Sequence, residues 1–318
     1  MTISVIGCGR WGAFIAWYLD SIGNTVTVYG PEDAPQIHEF IKTRTNGTVT
    51  FPDSIRLTTS LERALESDTV VISIPSQNLR SLMEEMTPYA PTGKTFVLCM
   101  KGIEISTGKR LSEIVTEYRG GDNAVAVWIG PGHPQEFVKG IPNCMVIDSN
   151  HEEVKIELVK EFSSPLIRFY YGADLIGNEL GAALKNVIGI AAGMLDGYGV
   201  SSLKGALMSR ATSEVAKFIS AMGGDGRSAY GLCHLGDYEA TVFSKHSHNR
   251  AFGEAFIKKE SFGALAEGYY TAEAVHRIAK KMKIEMPICE AVYAILYENA
   301  APEDVLPALF NRAIKKEF

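Results

Sequence analysis

One lysine lies alone in a long, nearly uncharged and glycine-rich segment. Lys185 is the only charged residue in 180–195. Gly181 and Gly189 share its helical face, because residues four apart lie on one side of a helix. Burial among small residues disfavours the charged ammonium and lowers its pKa, so Lys185 is a candidate general base for an alcohol. The alternative is a structural lysine that pairs with Glu179 or reaches the surface.

A glycine-rich turn near the start of the chain has the pattern of a dinucleotide-binding site. Residues 7–12 read Gly-Cys-Gly-Arg-Trp-Gly, after a β-branched run and before a helical stretch, which is the context this motif requires. Gly7 permits the tight turn, Gly9 lets a pyrophosphate approach the backbone, and Gly12 lets helix and strand pack closely. The free N–H groups of the helix start attract the pyrophosphate. An ordinary strand–turn–helix connection is the alternative.

The loop after the second predicted strand bears on the choice between NAD and NADP. Residues 30–33 read Gly-Pro-Glu-Asp, and residues 20–41 contain no Arg or Lys. The adenosine ribose is expected at this loop. A 2′-phosphate would lack a basic partner there, and Glu32 and Asp33 would repel it. This favours NAD over NADP, unless the two acids belong only to a solvated loop and helix start.

Other polar segments lie at predicted strand ends or within the second half of the chain. Lys101-Gly102 follows one predicted strand, and Gly-Pro-Gly-His at 130–133 follows the next. Open α/β sheets bind ligands at such strand ends. Residues 234–237 read His-Leu-Gly-Asp, and the polar loop 247–250, Ser-His-Asn-Arg, could hold a phosphate. Taken singly, each segment is typical of ordinary loops.

The elements that must position these residues divide the chain into two parts. Short β-branched runs alternate with helical stretches up to residue 172, which predicts right-handed crossovers and a mainly parallel sheet. We predict an α/β fold: a Rossmann-type dinucleotide-binding domain over 1–172 and an all-α substrate and catalytic domain over 173–318. Predicted strands are 3–6, 25–29, 69–74, 95–99, 124–129, 144–147 and 166–170. Predicted helices are 11–21, 77–87, 152–162, 174–196, 202–222, 271–282 and 287–298, with a last short one bracketed by Pro302 and Pro307.

The composition is that of a folded protein. The chain has 318 residues, 46% of them hydrophobic, and a net charge of −6, which excludes a disordered chain and a bulk nucleic-acid binder. Five scattered cysteines without a CxxC pair indicate reduced thiols rather than disulfides or zinc. We expect a cytoplasmic protein without a signal peptide, a membrane insertion or a metal site, because the corresponding patterns are missing from the sequence.

Taken in order, these motifs resemble the NAD(P)-dependent glycerol-3-phosphate dehydrogenase family over nearly the whole chain. The most specific matches are Glu-Leu-Gly-Ala-Ala-Leu-Lys-Asn-Val at 179–187 and Asn-Arg-Ala-Phe-Gly at 249–253. The resemblance implies hydride transfer between a nicotinamide cofactor and dihydroxyacetone phosphate or sn-glycerol 3-phosphate, which feeds glycerophospholipid synthesis. The expected partner is a small phosphorylated substrate, and the helical domain is compatible with a homodimer.

The resemblance also implies roles for individual residues. Lys185 would be the general acid/base on the C2 oxygen, Lys101 would bridge cofactor and substrate, and Asp237 would orient the substrate and the lysine. The other implied substrate contacts are Gly130, Gly132, Ser247, His248 and Asn249. The implied cofactor contacts are Gly7, Gly9, Arg10, Trp11, Gly12, Lys101, Pro134, His248, Leu265 and Glu267.

The chain departs from the family pattern at three points. Gly132 replaces the usual Ser or Thr, so one hydroxyl donor is missing, and Pro-Gln-Glu at 134–136 replaces Ala-Lys-Glu or Ala-Glu-Glu. His248 replaces an arginine, and imidazole is a weaker, pH-dependent substitute without a bidentate fork. These changes leave the predicted fold and cofactor in place and bear on the substrate.

Two other functions stay open on the sequence. One is a diverged family member that acts on another small hydroxy acid or phosphorylated alcohol. The other is a dinucleotide-binding sensor or partner-binding protein without this activity. The presence of Lys101, Lys185, Asp237 and Asn249 favours the dehydrogenase, while Gly132 and His248 favour the alternatives. The fold alone would not separate them.

Overall fold

The computed structural model describes residues 1–119, 121–314 and 316. Within this part of the chain, eight strands form one sheet: β1 (Thr2–Ile6), β2 (Thr25–Tyr29), β3 (Arg56–Thr58), β4 (Thr69–Ile72), β5 (Thr95–Leu98), β6 (Ala124–Ile129), β7 (Asn143–Ser149) and β8 (Ile167–Tyr171). Their order is β3-β2-β1-β4-β5-β6-β7-β8. Each neighbouring pair is parallel except β6 and β7. The predicted mainly parallel, Rossmann-type sheet is confirmed.

Helices cover both faces of this sheet. They are α1 (Arg10–Ser21), α2 (Pro35–Thr43), α3 (Leu61–Ala64), α4 (Leu79–Glu85), α5 (Leu111–Arg119), α6 (Pro134–Phe137) and α7 (Glu152–Phe162). Successive strand residues point to opposite faces, so Val71 joins the core beneath α1, α2, α6 and α7, while Val70 and Ile72 join the core beneath α3, α4 and α5. This explains why β4 and β6 read as continuous apolar runs.

The second half of the described chain is helical. It contains α8 (Leu175–Gly197), α9 (Lys204–Ala221), α10 (His248–Lys258), α11 (Glu267–Met282), α12 (Pro287–Tyr297) and α13 (Pro302–Phe310). Most of α8 is buried at the centre of this half. Its glycines admit close neighbours: a Cβ added at Gly193 would lie 1.9 Å from the carbonyl oxygen of Arg250. The predicted helical second half is confirmed, and the domain division near residue 172 stays a prediction.

The two halves share apolar residues. Ile103, which follows β5, belongs to the helical core. Leu175 and Ala182 of α8 belong to the core beneath α3, α4 and α5. The helix that carries Lys185 is therefore held against the sheet edge where β5 and β6 end.

Several predicted elements differ from the structure. The three-residue edge strand β3 has no apolar run to reveal it, and α2, α3, α5, α6 and α10 were not predicted. Residues 77–87 contain the shorter α4 between 3-10 turns at Ser76–Asn78 and Thr87–Tyr89. Pro307 does not end the last helix: it lies inside α13, where it removes one i→i−4 hydrogen bond and the helix continues for three more residues.

The described residues include no helix that is long and apolar enough to span a lipid bilayer. Cys8, Cys99, Cys144, Cys233 and Cys289 are all free thiols.

Candidate functional site

Two lysines share one buried carboxylate at the junction of the two halves. Oδ2 of Asp237 accepts a hydrogen bond from Nζ of Lys101 at 2.8 Å and lies 2.7 Å from Nζ of Lys185. Asp237 is 1% exposed. Lys185 also donates to the Thr241 hydroxyl at 2.8 Å, and Lys101 donates to the Gly130 carbonyl at 2.8 Å. The three predicted catalytic side chains therefore meet at one point.

Each member of this cluster comes from a different element. Lys185 projects from the middle of α8, and Lys101 follows the end of β5. Asp237 ends a short 3-10 turn that a buried histidine anchors. Nδ1 of His234 donates to the Gly181 carbonyl at 2.9 Å, and its Nε2 lies 2.7 Å from the Tyr238 hydroxyl. A Cβ on Gly181 would lie 3.1 Å from the Cβ of His234, so a glycine there lets the segment that carries Asp237 pack closely on α8.

The alternative pairing of Lys185 with Glu179 is wrong. Glu179 accepts hydrogen bonds from the guanidinium of Arg110 and from the backbone and hydroxyl of Ser112. It faces away from the lysine, because residues six apart on a helix point in different directions.

Burial favours the neutral amine form of Lys185. Desolvation lowers its pKa to about 8, the nearby Lys101 acts in the same direction, and the Asp237 carboxylate opposes both. A lysine in this range exchanges a proton readily near physiological pH. The expected depression of its pKa by burial is confirmed in direction and cause.

The glycine turn has the shape that a dinucleotide needs. Gly7 adopts φ +106°, and a Cβ there would lie 2.2 Å from the carbonyl oxygen of Ser73. A Cβ on Gly12 would lie 2.0 Å from the carbonyl oxygen of Gly7. At Gly9, by contrast, apart from the glycine and its two chain neighbours, no atom of the described residues lies within 4 Å of the Cβ position. The turn therefore leaves open space beside Gly9 at the N-terminus of α1, which fits a pyrophosphate.

The loop after β6 packs against this turn. Trp11 lies 6.3 Å from the Phe137 ring, which stacks on Phe14 at 4.9 Å. Gly132 adopts φ +144°, and a Cβ there would lie 2.3 Å from a ring carbon of Phe137. The absence of a serine or threonine at 132 thus has a structural reason, because Phe137 fills the space. Pro134 is the first residue of α6 and is buried.

Residues 247–250 form the start of a helix, not the predicted loop. The Ser247 hydroxyl caps α10 by accepting from the backbone N–H of Arg250 at 3.3 Å. Asn249 donates to the side-chain oxygen of Asn186 at 3.0 Å and accepts from the backbone N–H of Gly268 at 2.9 Å. Arg250 is bound by two carboxylates, those of Asp196 at 2.8 Å and Glu254 at 2.9 Å. Its charge is therefore committed within the protein.

Two further predicted residues lie together on one side of α10. Nδ1 of His248 is 3.3 Å from the carbonyl oxygen of Leu265, whose side chain is exposed. Burial lowers the pKa of His248, and the charge of Arg10 lowers it further. The charge of Arg10 at the start of α1 thus acts on His248 at the start of α10.

Comparison with known proteins places this geometry in a family. Residues 2–155 match the model described as NAD-dependent glycerol-3-phosphate dehydrogenase N-terminus, and residues 174–307 match the corresponding C-terminus. The chain belongs to the NAD-dependent glycerol-3-phosphate dehydrogenase family. Its predicted family, and with it the prediction of an NAD(P)-dependent oxidoreductase, is confirmed.

Relatives in this family align over their whole length. A glycerol-3-phosphate dehydrogenase (NAD(P)+) of Chlorobium limicola is 36% identical over 332 residues, covering 100% of this chain and 99% of the relative. One from Thermoanaerobacter sp. is 36% identical over 330 residues, with the same coverage. The crystal structure of glycerol-3-phosphate dehydrogenase from Coxiella burnetii superposes with a TM-score of 0.92 at 28% identity, covering 98% of this chain and 99% of that one.

The helical half of this chain also contacts the segment after β4. The contact joins Glu267, a predicted site residue, to Ser76, which was not predicted. Glu267 accepts hydrogen bonds from the backbone N–H of Ser76, at 2.9 Å, and from the Ser76 hydroxyl. Burial raises the pKa of Glu267. Ser76 follows β4 by four residues, and its place at a strand end is the signal that could have found it.

Two other residues, Thr241 and Asn186, contact the site and were not among the predicted site residues. Thr241 bonds Lys185, and Asn186 links the Asn249 side chain to the backbone carbonyl of Lys101 through a 3.3 Å hydrogen bond. Asn186 directly follows the lysine in the family motif, which is a usable signal. Thr241 lies in a one-turn π-helix, Glu239–Phe243, and such turns are frequent at functional sites.

The loop proposed for the adenosine ribose is acidic and exposed. Glu32 and Asp33 are exposed between β2 and α2. Arg44, at the far end of α2, donates to the backbone carbonyls of Pro52 and Ile55, so its guanidinium is engaged elsewhere. In the described part of the chain, no group of three or more His, Cys, Asp or Glu is arranged to hold a metal ion.

Proposed function

We propose that this protein is an NAD(P)-dependent glycerol-3-phosphate dehydrogenase that interconverts dihydroxyacetone phosphate and sn-glycerol 3-phosphate. The observation that carries the proposal is the buried carboxylate of Asp237, which joins Lys101 and Lys185 at 2.8 and 2.7 Å. Full-length relatives named glycerol-3-phosphate dehydrogenase (NAD(P)+) support the reaction. The proposed division of labour assigns cofactor binding to residues 1–172 and substrate binding with catalysis to 173–318.

Lys185 is the proposed proton carrier. The bound nicotinamide supplies the hydride that adds to C2 of the substrate, or accepts it in the reverse direction. In reduction, the Lys185 ammonium gives a proton to the C2 oxygen; in oxidation, its neutral amine removes the hydroxyl proton. A pKa of about 8 keeps both forms populated near physiological pH. Asp237 and Thr241 hold the amine at 2.7 and 2.8 Å.

Lys101 has the second catalytic role in this proposal. Its Nζ lies between the Gly130 carbonyl and Asp237, which places a positive charge at the edge where β5 and β6 end. There it can stabilise negative charge that develops on the substrate oxygen and can contact the cofactor at the same time. Asp237 keeps the two lysines close and limits their mutual repulsion.

The substrate phosphate is proposed to lie at the N-terminus of α10. Helix N-termini favour anions, and Ser247, His248 and Asn249 form the start of this helix. Gly130 and Gly132 line the substrate from the opposite loop. Asn249 is held by Asn186 and Gly268, so we assign it the task of keeping α10 in register with the lysine as well as contacting the substrate.

The proposed cofactor contacts begin at the glycine turn, residues 7–12. The open space at Gly9 and the N-terminus of α1 support the pyrophosphate site. The remaining proposed cofactor contacts are Gly7, Arg10, Trp11, Gly12, Lys101, Pro134, His248, Leu265 and Glu267. We propose NAD as the preferred cofactor, because Glu32 and Asp33 are exposed at the ribose loop.

We also propose a cytoplasmic location, a homodimeric assembly and a role in supplying glycerophospholipid precursors. Five free thiols support a reducing compartment. Light scattering coupled to size-exclusion chromatography tests the assembly, for which a mass near twice 34.7 kDa is expected.

The decisive experiment follows NADH oxidation with dihydroxyacetone phosphate beside unphosphorylated dihydroxyacetone. The proposal expects rapid turnover of the phosphorylated ketone and little of the other. Comparable rates with both, or turnover only with another small keto acid, would favour a diverged dehydrogenase. NADH binding without any turnover would favour a dinucleotide-binding protein.

A further inference from the structure

His133 is a buried histidine that the proposed mechanism does not use. It directly precedes α6, in the loop that leaves β6, and is 7% exposed. Its Nε2 is fully buried and has no hydrogen-bond partner among the described residues. Buried side-chain nitrogens nearly always have a partner, because leaving one unpaired costs about 1–3 kcal/mol. Among the described residues, Nε2 of His133 thus lacks a partner, as does Oε1 of Gln135 two residues further on.

The surroundings of His133 are those of the candidate site. Its ring centre lies 5.5 Å from that of His246, in the segment that leads into α10. The charges of Lys185, Asp237 and Arg10 all act on its pKa. Burial, reinforced by Lys185, lowers that pKa to about 4. The imidazole is therefore neutral near pH 7 and has one N–H to donate.

Within residues 130–133, the loop between β6 and α6, His133 carries the polar side chain. Gly132 has no side chain, and the Phe137 ring occupies the place where one would begin. Pro131 and Pro134 flank the two residues and offer no side-chain donor. A contact from this loop to a bound anion must therefore come from a backbone group or from the imidazole of His133.

We propose that Nε2 of His133 donates a hydrogen bond to the phosphate group of the substrate. This inference rests on the proposed function and deepens it. The phosphate end fits better than the reacting carbon, because His133 lies beside the segment that starts α10, whose N-terminus favours an anion. The amine of Lys185 already has two partners near the reacting carbon, Asp237 and Thr241.

The test compares His133→Phe with His133→Gln in steady-state kinetics. Phenylalanine removes the donor, so KM for dihydroxyacetone phosphate should rise about 10- to 100-fold, the value of one hydrogen bond to a charged group. The value of kcat and the KM for NADH should stay within about twofold, because a remote phosphate contact serves binding. Glutamine places an amide N–H near the former Nε2 and should recover much of the affinity.

A second substrate and a control variant distinguish a phosphate contact from a general loss of activity. Turnover of unphosphorylated dihydroxyacetone should be equal in the wild type and His133→Phe. His276→Phe makes the same change at a ring that stacks on Tyr293 in the helical half, and should leave KM unchanged. An unchanged KM in His133→Phe, or an equal loss with both ketones, would overturn the proposal.

A binding experiment separates this inference from the proposed function. Calorimetric titration with sn-glycerol 3-phosphate in the presence of NAD reports affinity without turnover. If the wild type binds this ligand but turns over neither ketone, the proposed activity fails, and His133→Phe still decides the inference through its affinity. Equal affinity in the wild type and His133→Phe refutes the role of His133 even if the enzyme is active.

Discussion

At the level of single residues, the ion pair of Lys185 and Asp237 sets the chemistry. Removing an ammonium from water costs free energy, and a carboxylate at 2.7 Å offsets part of it. Because Lys101 shares that carboxylate, the offset is incomplete, and the pKa of Lys185 settles near 8. A fully compensated lysine would stay charged and could not act as a base.

Replacing this lysine tests its role. Lys185→Met should keep NADH binding and lower kcat about 10²–10⁴-fold, the typical loss when a general acid or base is removed. Lys155→Met is the matched control, because Lys155 is a buried lysine that bonds the Gly172 carbonyl in the sheet half. It should lower stability and leave kcat unchanged. Near-normal turnover in Lys185→Met would assign the lysine a purely structural role.

The same pKa predicts opposite pH profiles for the two directions. Oxidation needs the neutral amine, so kcat for glycerol 3-phosphate should rise as the pH passes through about 8. Reduction needs the ammonium, so kcat for dihydroxyacetone phosphate should fall over the same range. Initial rates between pH 6 and 10 in both directions give the test. Parallel profiles would contradict the assignment of Lys185.

The acidic ribose loop predicts the cofactor preference. NADH should exceed NADPH in kcat/KM by about tenfold or more, because Glu32 and Asp33 repel a 2′-phosphate. Pro31→Arg combined with Glu32→Ser should raise kcat/KM for NADPH. Glu39→Ala, which removes an exposed acid from α2, should change the ratio little. Equal use of both cofactors by the wild type would show that a basic group reaches the ribose from elsewhere.

At the level of elements, the contact between α8 and α10 holds the lysine and the proposed phosphate site in register. Gly193 lets the backbone of α10 approach, and a Cβ there would lie 1.9 Å from the Arg250 carbonyl oxygen. Backbone cannot move as cheaply as a side chain, so any added atom separates the helices. Separation would displace Ser247 and Asn249 relative to Lys185.

Gly193→Ala tests this contact. It should lower the free energy of unfolding by about 1–3 kcal/mol and raise KM for the substrate. Gly205→Ala is the control, because Gly205 lies in α9 and, beyond its chain neighbours and its own helix backbone, no atom of the described residues lies within 4 Å of its Cβ position. It should be neutral or stabilising by up to about 1 kcal/mol. Chemical denaturation measures both. Equal effects would show that the α8–α10 contact is loose.

Elements with a strong local pattern could be predicted from the sequence, and others could not. The 124–129 prediction coincides with β6 because each of its residues is buried and apolar. The start of α10 was predicted as a loop, because the Ser247 cap acts through a hydrogen bond that polar composition does not reveal. The predicted site residues Lys101, Lys185 and Asp237 do meet. Thr241 and Ser76 were missed because their partners lie 56 and 191 residues away in sequence.

At the level of the whole molecule, the shared cores predict that the two halves unfold together. Ile103 is buried in the helical core although it follows β5, and Leu175 lies in a sheet core although it begins α8. Differential scanning calorimetry should show one transition. Ile103→Ala should destabilise the protein by about 2–5 kcal/mol without splitting that transition. Ile41→Ala, at a side chain 52% exposed on α2, should have little effect. Two resolved transitions would contradict the coupling.

The Phe137 ring couples position 132 to position 137 in any redesign or divergence of this loop. A serine introduced at 132 would need a Cβ 2.3 Å from a ring carbon and a φ of +144°, which L residues rarely adopt. A smaller residue at 137 would remove this clash but leave a cavity beside Phe14, at a cost of about 3–5 kcal/mol for Phe137→Ala. Each single change is therefore costly by itself. A hydroxyl at 132 therefore requires a second change at 137 and a backbone that leaves φ +144°.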